Sequence, residues 1–183
     1  MRIFAIDGSE RDMNWLVQTW GVQVDTSLRK AGRNFVVTRI WEREGAPIYP
    51  VRVLNLQGLP WEGCVVGRYW PGAPNGWPGG CKPDNVVAPP EAISRAVFGV
   101  TNAYGMVEFG LGKGDYAAPG QGVSIIWCPS HFAGSDVVRK LGMLPNTNHR
   151  TLGIEFQLVE ASLQPERQGC LTVLLNLIRD IVK

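Results

Sequence analysis

Six residues between positions 69 and 85 carry side chains that could hold a sugar: Tyr69, Trp70, Asn75, Trp77, Asp84 and Asn85. Sugar rings present apolar C–H faces that stack on aromatic rings, while neighbouring amides and carboxylates bond the hydroxyls. Most of these residues fall in the stretch 71–90, where Pro71-Gly-Ala-Pro-Asn-Gly-Trp-Pro-Gly-Gly80 breaks all periodicity. Loops of this length without regular structure are commonly functional or disordered. Trp77, at its centre, has two readings. Its ring is presented to a ligand, or it folds back to cap the domain with Cys81 pinning the loop through a disulfide. The turn Asn146-Thr-Asn-His-Arg150 could add polar contacts.

Other chemistries fit the residue pattern less well. A hydrolase triad would draw on Ser130 or Ser135, His131 or His149, and Asp136, but there is no G-x-S-x-G elbow. Gly110-Leu-Gly-Lys-Gly114 lacks the G-x-x-x-x-G-K-[ST] spacing of a phosphate cradle, so its glycines read as turn residues. Asp7, Glu10 and Asp12 lack the spacing and closing Glu of a calcium loop and read as a solvated helix start. Two His and four scattered Cys make no transition-metal pattern. Cys64, Cys81, Cys128 and Cys170 allow up to two disulfides or four free thiols. No catalytic residue, metal or cofactor is expected.

These side chains must be positioned by a chain of 183 residues, enough for one domain with appendages. Hydrophobic content of 45% with 19% charged residues excludes a disordered chain. A net charge of +2 with scattered Lys and Arg argues against nucleic acid, which needs a concentrated basic face. No apolar run is long enough to span a membrane or act as a signal peptide. The 22 Gly and 13 Pro favour many short strands and turns over long helices.

Strands are predicted over 35–41, 50–56, 64–70, 122–128 and 151–159, with 92–98 either a strand or a helical turn. In the last, Leu152, Ile154, Phe156 and Leu158 alternate with Gly153, Glu155 and Gln157, the pattern of a half-buried strand. The stretch 101–116 reads as the central hairpin of a β-sandwich, and 135–141 as a helical turn. A short helix is expected over 10–20, ended by Gly21. After Pro165, Leu171, Leu174, Ile178 and Ile181 follow an a/d spacing of three, four and three. That seam fits a C-terminal helix packed on its own domain or self-associating. The expected organisation is an N-terminal extension (1–34) packed on the sandwich, a β-sandwich (35–160) and a C-terminal helix (161–183).

The segment Asn55-Leu-Gln-Gly-Leu-Pro-Trp-Glu-Gly63, the turn Thr101-Asn-Ala-Tyr-Gly105 leading to Phe109, and Gly114-Asp-Tyr116 resemble transthyretin-like and Cna B-like (carboxypeptidase regulatory-like) modules over about residues 50–159. The insertion at 71–90 and the delay at 117–122 depart from that pattern. No Lys occupies the first-strand position of the Cna B-type crosslink, so that crosslink is not carried over. The resemblance implies a mainly β, Ig-like/transthyretin-like antiparallel sandwich with long loops. It also implies an accessory, stalk or carbohydrate-binding role on extracellular or virion-associated proteins. The expectation is thus a non-enzymatic module that recognises a carbohydrate or cell-surface ligand through the 69–85 loop. The alternative is a structural or assembly protein, such as a virion decoration or fibre component, oligomerising through Leu171, Leu174, Ile178 and Ile181.

Overall fold

The computed structural model describes residues 1–160. The expected C-terminal helix, its apolar seam and Cys170 lie outside the described residues. In chain order the elements are β1 (Arg2–Phe4), β2 (Glu10–Arg11), α1 (Met13–Trp20), β3 (Gln23–Asp25), β4 (Arg33–Arg43), β5 (Ile48–Leu54), β6 (Val65–Tyr69), β7 (Val97–Val100), β8 (Met106–Gly110), β9 (Ser124–Trp127), β10 (Gly134–Ser135), β11 (Val137–Leu141) and β12 (Thr151–Glu160). Sheet A runs β2-β1-β4-β12-β5-β8, with β10 also paired to β4, and sheet B runs β3-β11-β9-β6-β7. The architecture is mainly β, two sheets in a sandwich. An all-antiparallel arrangement does not form, because β1 and β10 pair with β4 in parallel and β12 pairs with β5 in parallel.

β12 forms as its alternation dictates. Leu152, Ile154, Phe156 and Leu158 are all buried, and on the same inner face of sheet A Ile154 and Phe156 lie beside Val51 and Val53 of β5 and Ile40 and Val37 of β4. Val66, Ile126 and Val138 close that core from sheet B. Helix α1 begins where Asp12 caps it, its carboxylate accepting from Trp15 N at 2.8 Å. It ends at Gly21 in the left-handed conformation (φ 65°), and a Cβ there would lie 2.1 Å from Gly120 Cα. Buried Trp20 donates from Nε1 to Glu42 Oε1 at 2.7 Å. The acidic residues at the helix start all have local partners. Asp7 bonds Ser9, Glu10 pairs with Arg2, and Asp12 is the cap.

Two expected elements differ. The stretch 101–116 is not a hairpin, because β7 belongs to sheet B and β8 to sheet A, so residues 101–105 are a crossover between sheets. Its turn chemistry is nevertheless as read: Asn102 Oδ1 accepts from Tyr104 N (2.9 Å) and Met106 N (3.1 Å). Gly105, at φ 70°, presses against β5, its carbonyl accepting from Val53 N at 2.8 Å. The turn geometry is local, but which sheet its far strand joins is a long-range choice. The stretch 135–141 is strand, not helix. Val137 and Val138 are β-branched and pair with Trp127 and Ile126, and Arg139 bonds Asp25 and Glu91.

The glycine-rich turn after β8 serves a buried ion pair. Arg68, 3% exposed, donates to Asp115 and, at 3.1 Å, to Ser124 Oγ; its other terminal nitrogen reaches Gly110 O at 2.9 Å. Asp115 also accepts from Gly112 N at 2.8 Å. Burial pushes the Arg68 guanidinium down from its ordinary value, and Asp115 opposes that shift. Burial likewise raises the Tyr49 hydroxyl well above the usual phenol range, with the Asp115 charge adding to it.

The loop after β6 covers the outer face of sheet B. Trp127 lies over Gly67, where a Cβ would fall 2.6 Å from its ring, and donates from Nε1 to Val87 O at 3.1 Å. Trp77, Ala92 and Ala96 pack with it, along with Ile125 and Val137, as a second core. Trp77 is therefore a cap, 5% exposed. Trp77→Ala is expected to cost about 3–5 kcal/mol, the usual loss for truncating a buried aromatic, read as a lowered Tm. Asp115→Ala, which strands the buried Arg68 charge, is expected to cost about 3–5 kcal/mol by denaturant titration. A loss under about 1 kcal/mol would mean that solvent reaches Arg68.

Candidate functional site

None of the six residues first singled out forms a free aromatic surface. Tyr69 is half-buried against the second core. Trp70 is half-buried, with the Arg68 guanidinium 4.5 Å from its ring centroid. Trp77 is buried against Phe98, ring centroids 4.6 Å apart, and donates from Nε1 to Ala92 O at 2.8 Å. Asn75 is exposed, but its amide folds the loop, accepting from Trp77 N (3.2 Å) and donating to Gly80 O (2.7 Å). Asp84 and Asn85 are exposed nearby. Across the chain Trp20, Trp77 and Trp127 are buried, while Trp15, Trp41, Trp61 and Trp70 are half-buried.

The triad candidates share no Ser–His or His–Asp hydrogen bond among the described residues: Ser130 and His131 line one concavity, and His149 lies against Tyr116, ring centroids 6.4 Å apart. Ser130 Oγ accepts from Phe132 N and Ala133 N, both at 3.2 Å. Ser135 Oγ donates to Asp136 O at 2.7 Å. The Asp136 carboxylate accepts from both Arg29 Nε (2.6 Å) and Arg29 Nη2 (2.9 Å) and from Val37 N (2.9 Å). Cys64 and Cys128 are buried free thiols, and Cys81 is exposed and free. Among the described residues no disulfide at Cys81 pins the loop. The Trp77 and Asn75 bonds hold it instead. Burial raises the Cys128 thiol, and neighbouring Cys64 raises it further.

Aromatic, charged and polar side chains converge on the outer face of sheet A. Strand register places Arg39 beside Glu155, Glu155 beside Arg52 and Arg52 beside Met106, one row across four strands. The adjacent row runs Phe4, Trp41, Gly153. A register shift between Glu155 and Phe156 leaves one extra residue in β4, so Thr38 and Arg39 both lie outside the core. Such bulges re-aim side chains. Thr38 Oγ1 uses this placement to donate to Glu155 Oε1 at 2.9 Å. Arg52 Nη1 lies 3.5 Å from Glu155 Oε2, so the carboxylate is held on both oxygens.

Trp41 lies across Gly153. A Cβ there would sit 2.1 Å from indole Cε2 and 2.6 Å from Nε1, so the ring occupies the space a side chain would take. The Arg39 guanidinium stands 4.6 Å from the Phe4 ring centroid and 5.5 Å from that of Trp41. Arg39, Trp41, Arg52, Tyr104, Met106 and Glu155 enclose a shallow cleft of about 310 Å³. Tyr104, at the tip of the 101–105 crossover, is 75% exposed. The cleft thus combines a supported aromatic ring, an anchored carboxylate, two guanidiniums and a phenol.

Sequence reasoning found β4, β5, β8 and β12 of this face, but not β1 and not the face itself. The available signals were a glycine within the best-patterned strand and Arg39 two residues before Trp41. Gly153→Val is expected to displace the indole and change Trp41 emission, and to cost about 1–3 kcal/mol in overpacking. An unaltered spectrum and an unaltered Tm would mean that Trp41 does not rest there.

Against family models, curated protein sequences and solved structures the chain gives no match, so its function is argued from its own geometry.

Proposed function

We propose that this protein is a non-enzymatic recognition module that binds carbohydrate on the outer face of sheet A. The observation that carries this reading is the Trp41 ring lying across Gly153 beside the Thr38–Glu155–Arg52 cluster. A ring braced on backbone loses little freedom when a sugar face stacks on it, and a preordered carboxylate and guanidinium meet hydroxyls without rearranging. The reading keeps the expected ligand class but moves its surface from the 69–85 loop to the sheet. The turns that resemble transthyretin-like and Cna B-like modules support an accessory role of this kind, on an extracellular or virion-associated protein.

Glycan arrays and affinity gels containing polysaccharides test the proposal. Trp41→Ala is expected to weaken binding at least about tenfold, as for a central aromatic anchor, with Tm little changed. Trp70→Ala is expected to leave binding intact. Equal binding by Trp41→Ala and wild type would remove this face from consideration, and failure to retain any glycan would sink the carbohydrate reading.

A further inference from the structure

We propose that the apolar seam Leu171, Leu174, Ile178 and Ile181 of this chain's own C-terminal segment docks in an apolar trough that starts where β12 ends, beside Leu158, and passes Trp61 and Phe132 to Val65 and Phe98. The trough is built from three concavities that share walls. The first, about 330 Å³, lies between Arg33, Leu56, Trp61, Phe132 and Leu158. The second, about 170 Å³, shares Trp61 and Phe132 with it and adds Phe35 and Val65. The third, about 360 Å³, shares Val65, Pro129 and His131 with the second and ends on Trp77, Phe98 and Val100.

Its walls are preformed and mostly apolar, with Arg33, Asn55, Gln57, Ser130 and His131 as the polar members. Phe132 stacks with Phe35 and Trp61, ring centroids 6.3 and 6.2 Å away, and its loop is fixed by the two amides bonded to Ser130 Oγ. Yet Phe132 is 46% exposed, Val65 38% and Val100 61%. Large apolar side chains gathered along one concave surface mark an interaction site more than isolated ones do. Arg33 is the one permanently charged residue among the walls.

The occupant is argued from where the chain goes. β12 ends at Glu160, whose carboxylate accepts from Arg33 Nε at 2.9 Å, and Arg33 lines the mouth of the trough. The residues between Glu160 and Leu171 span at most about 36–40 Å when extended, and a relaxed tether of that length covers about 16–20 Å. The spacing of three, four and three puts the four apolar residues on one face of a helix. So short a helix is marginal in water and needs a surface to pack on. A second copy of the chain could supply one, but a short tether gives the chain's own segment an effective concentration on the order of millimolar. The intramolecular contact therefore wins at ordinary protein concentrations.

The test uses the full chain and its Leu174→Asp/Ile178→Asp and Phe132→Asp variants. Hydrogen exchange at the Phe132 and Ala133 amides is expected to rise about tenfold in the first variant as the trough opens, with binding of an apolar fluorescent dye appearing in parallel. In Phe132→Asp, trypsin is expected to cut at Arg167 and Arg179 about tenfold faster, because the segment is released from the other side of the same contact. Mass measurement in solution should give a monomer for the wild type. A dimer that Leu174→Asp/Ile178→Asp dissolves would overturn the proposal in favour of a second copy, and unchanged exchange, dye binding and proteolysis would overturn it outright.

Discussion

The period-two alternation of β12 is the constraint on which the rest depends. It lies between β4 and β5, pairing with ten residues of the first and four of the second. Its even positions, Leu152 to Leu158, enter the core, and its odd positions, Gly153, Glu155 and Gln157, face outward. A one-residue slip would exchange the two sets, placing Glu155 in the core and Phe156 in water, so burial on one side fixes the register. The same register sets Glu155 opposite Arg39 and Arg52. The hydrophobic core and the polar outer face of sheet A are thus two consequences of one strand pairing.

Sheet B solves a different problem. Its inner face meets sheet A, and its outer face carries Trp127, too large and apolar to leave open. The Pro/Gly-rich segment after β6 returns across it, and Trp77 and Trp127 each satisfy an indole N–H with a loop carbonyl. The aromatic content of that loop is spent on covering the sheet. A buried indole with its nitrogen paired gains the full benefit of apolar burial, which an exposed ring awaiting a ligand forgoes. This is why a loop rich in sugar-binding residue types contributes so little free aromatic surface.

Charges enter this framework in two ways. Arg68 and Asp115 are buried together and tie β6 to the turn after β8, so they act on stability and on the path of the chain. Thr38, Glu155 and Arg52 sit at the solvent boundary on strands already fixed by pairing, so their positions are available to a partner. The second arrangement suits recognition because rigid strands hold the polar groups in place before any ligand arrives.

Much of the framework is readable in the chain itself. β12, β4, β5, β6 and β9 follow from β-branched and aromatic runs. Helix α1 follows from Asp12 and Gly21, and the turn at 101–105 from Asn102 and Gly105. These features rest on interactions among near neighbours, which residue types encode directly. Tertiary structure alone decided that β7 and β8 join different sheets, that β1, β10 and β12 have parallel partners, and that Val137 to Leu141 becomes strand. It also decided the fate of the tryptophans. A buried indole and a half-buried one are the same letter: Trp127 over Gly67 is covered by the loop that returns to it, whereas Trp41 over Gly153 is left partly open. Those pairs are 60 and 112 positions apart in the chain, so no local pattern could carry them. They exist because strand pairing brings a residue without a side chain beneath a ring that needs the space.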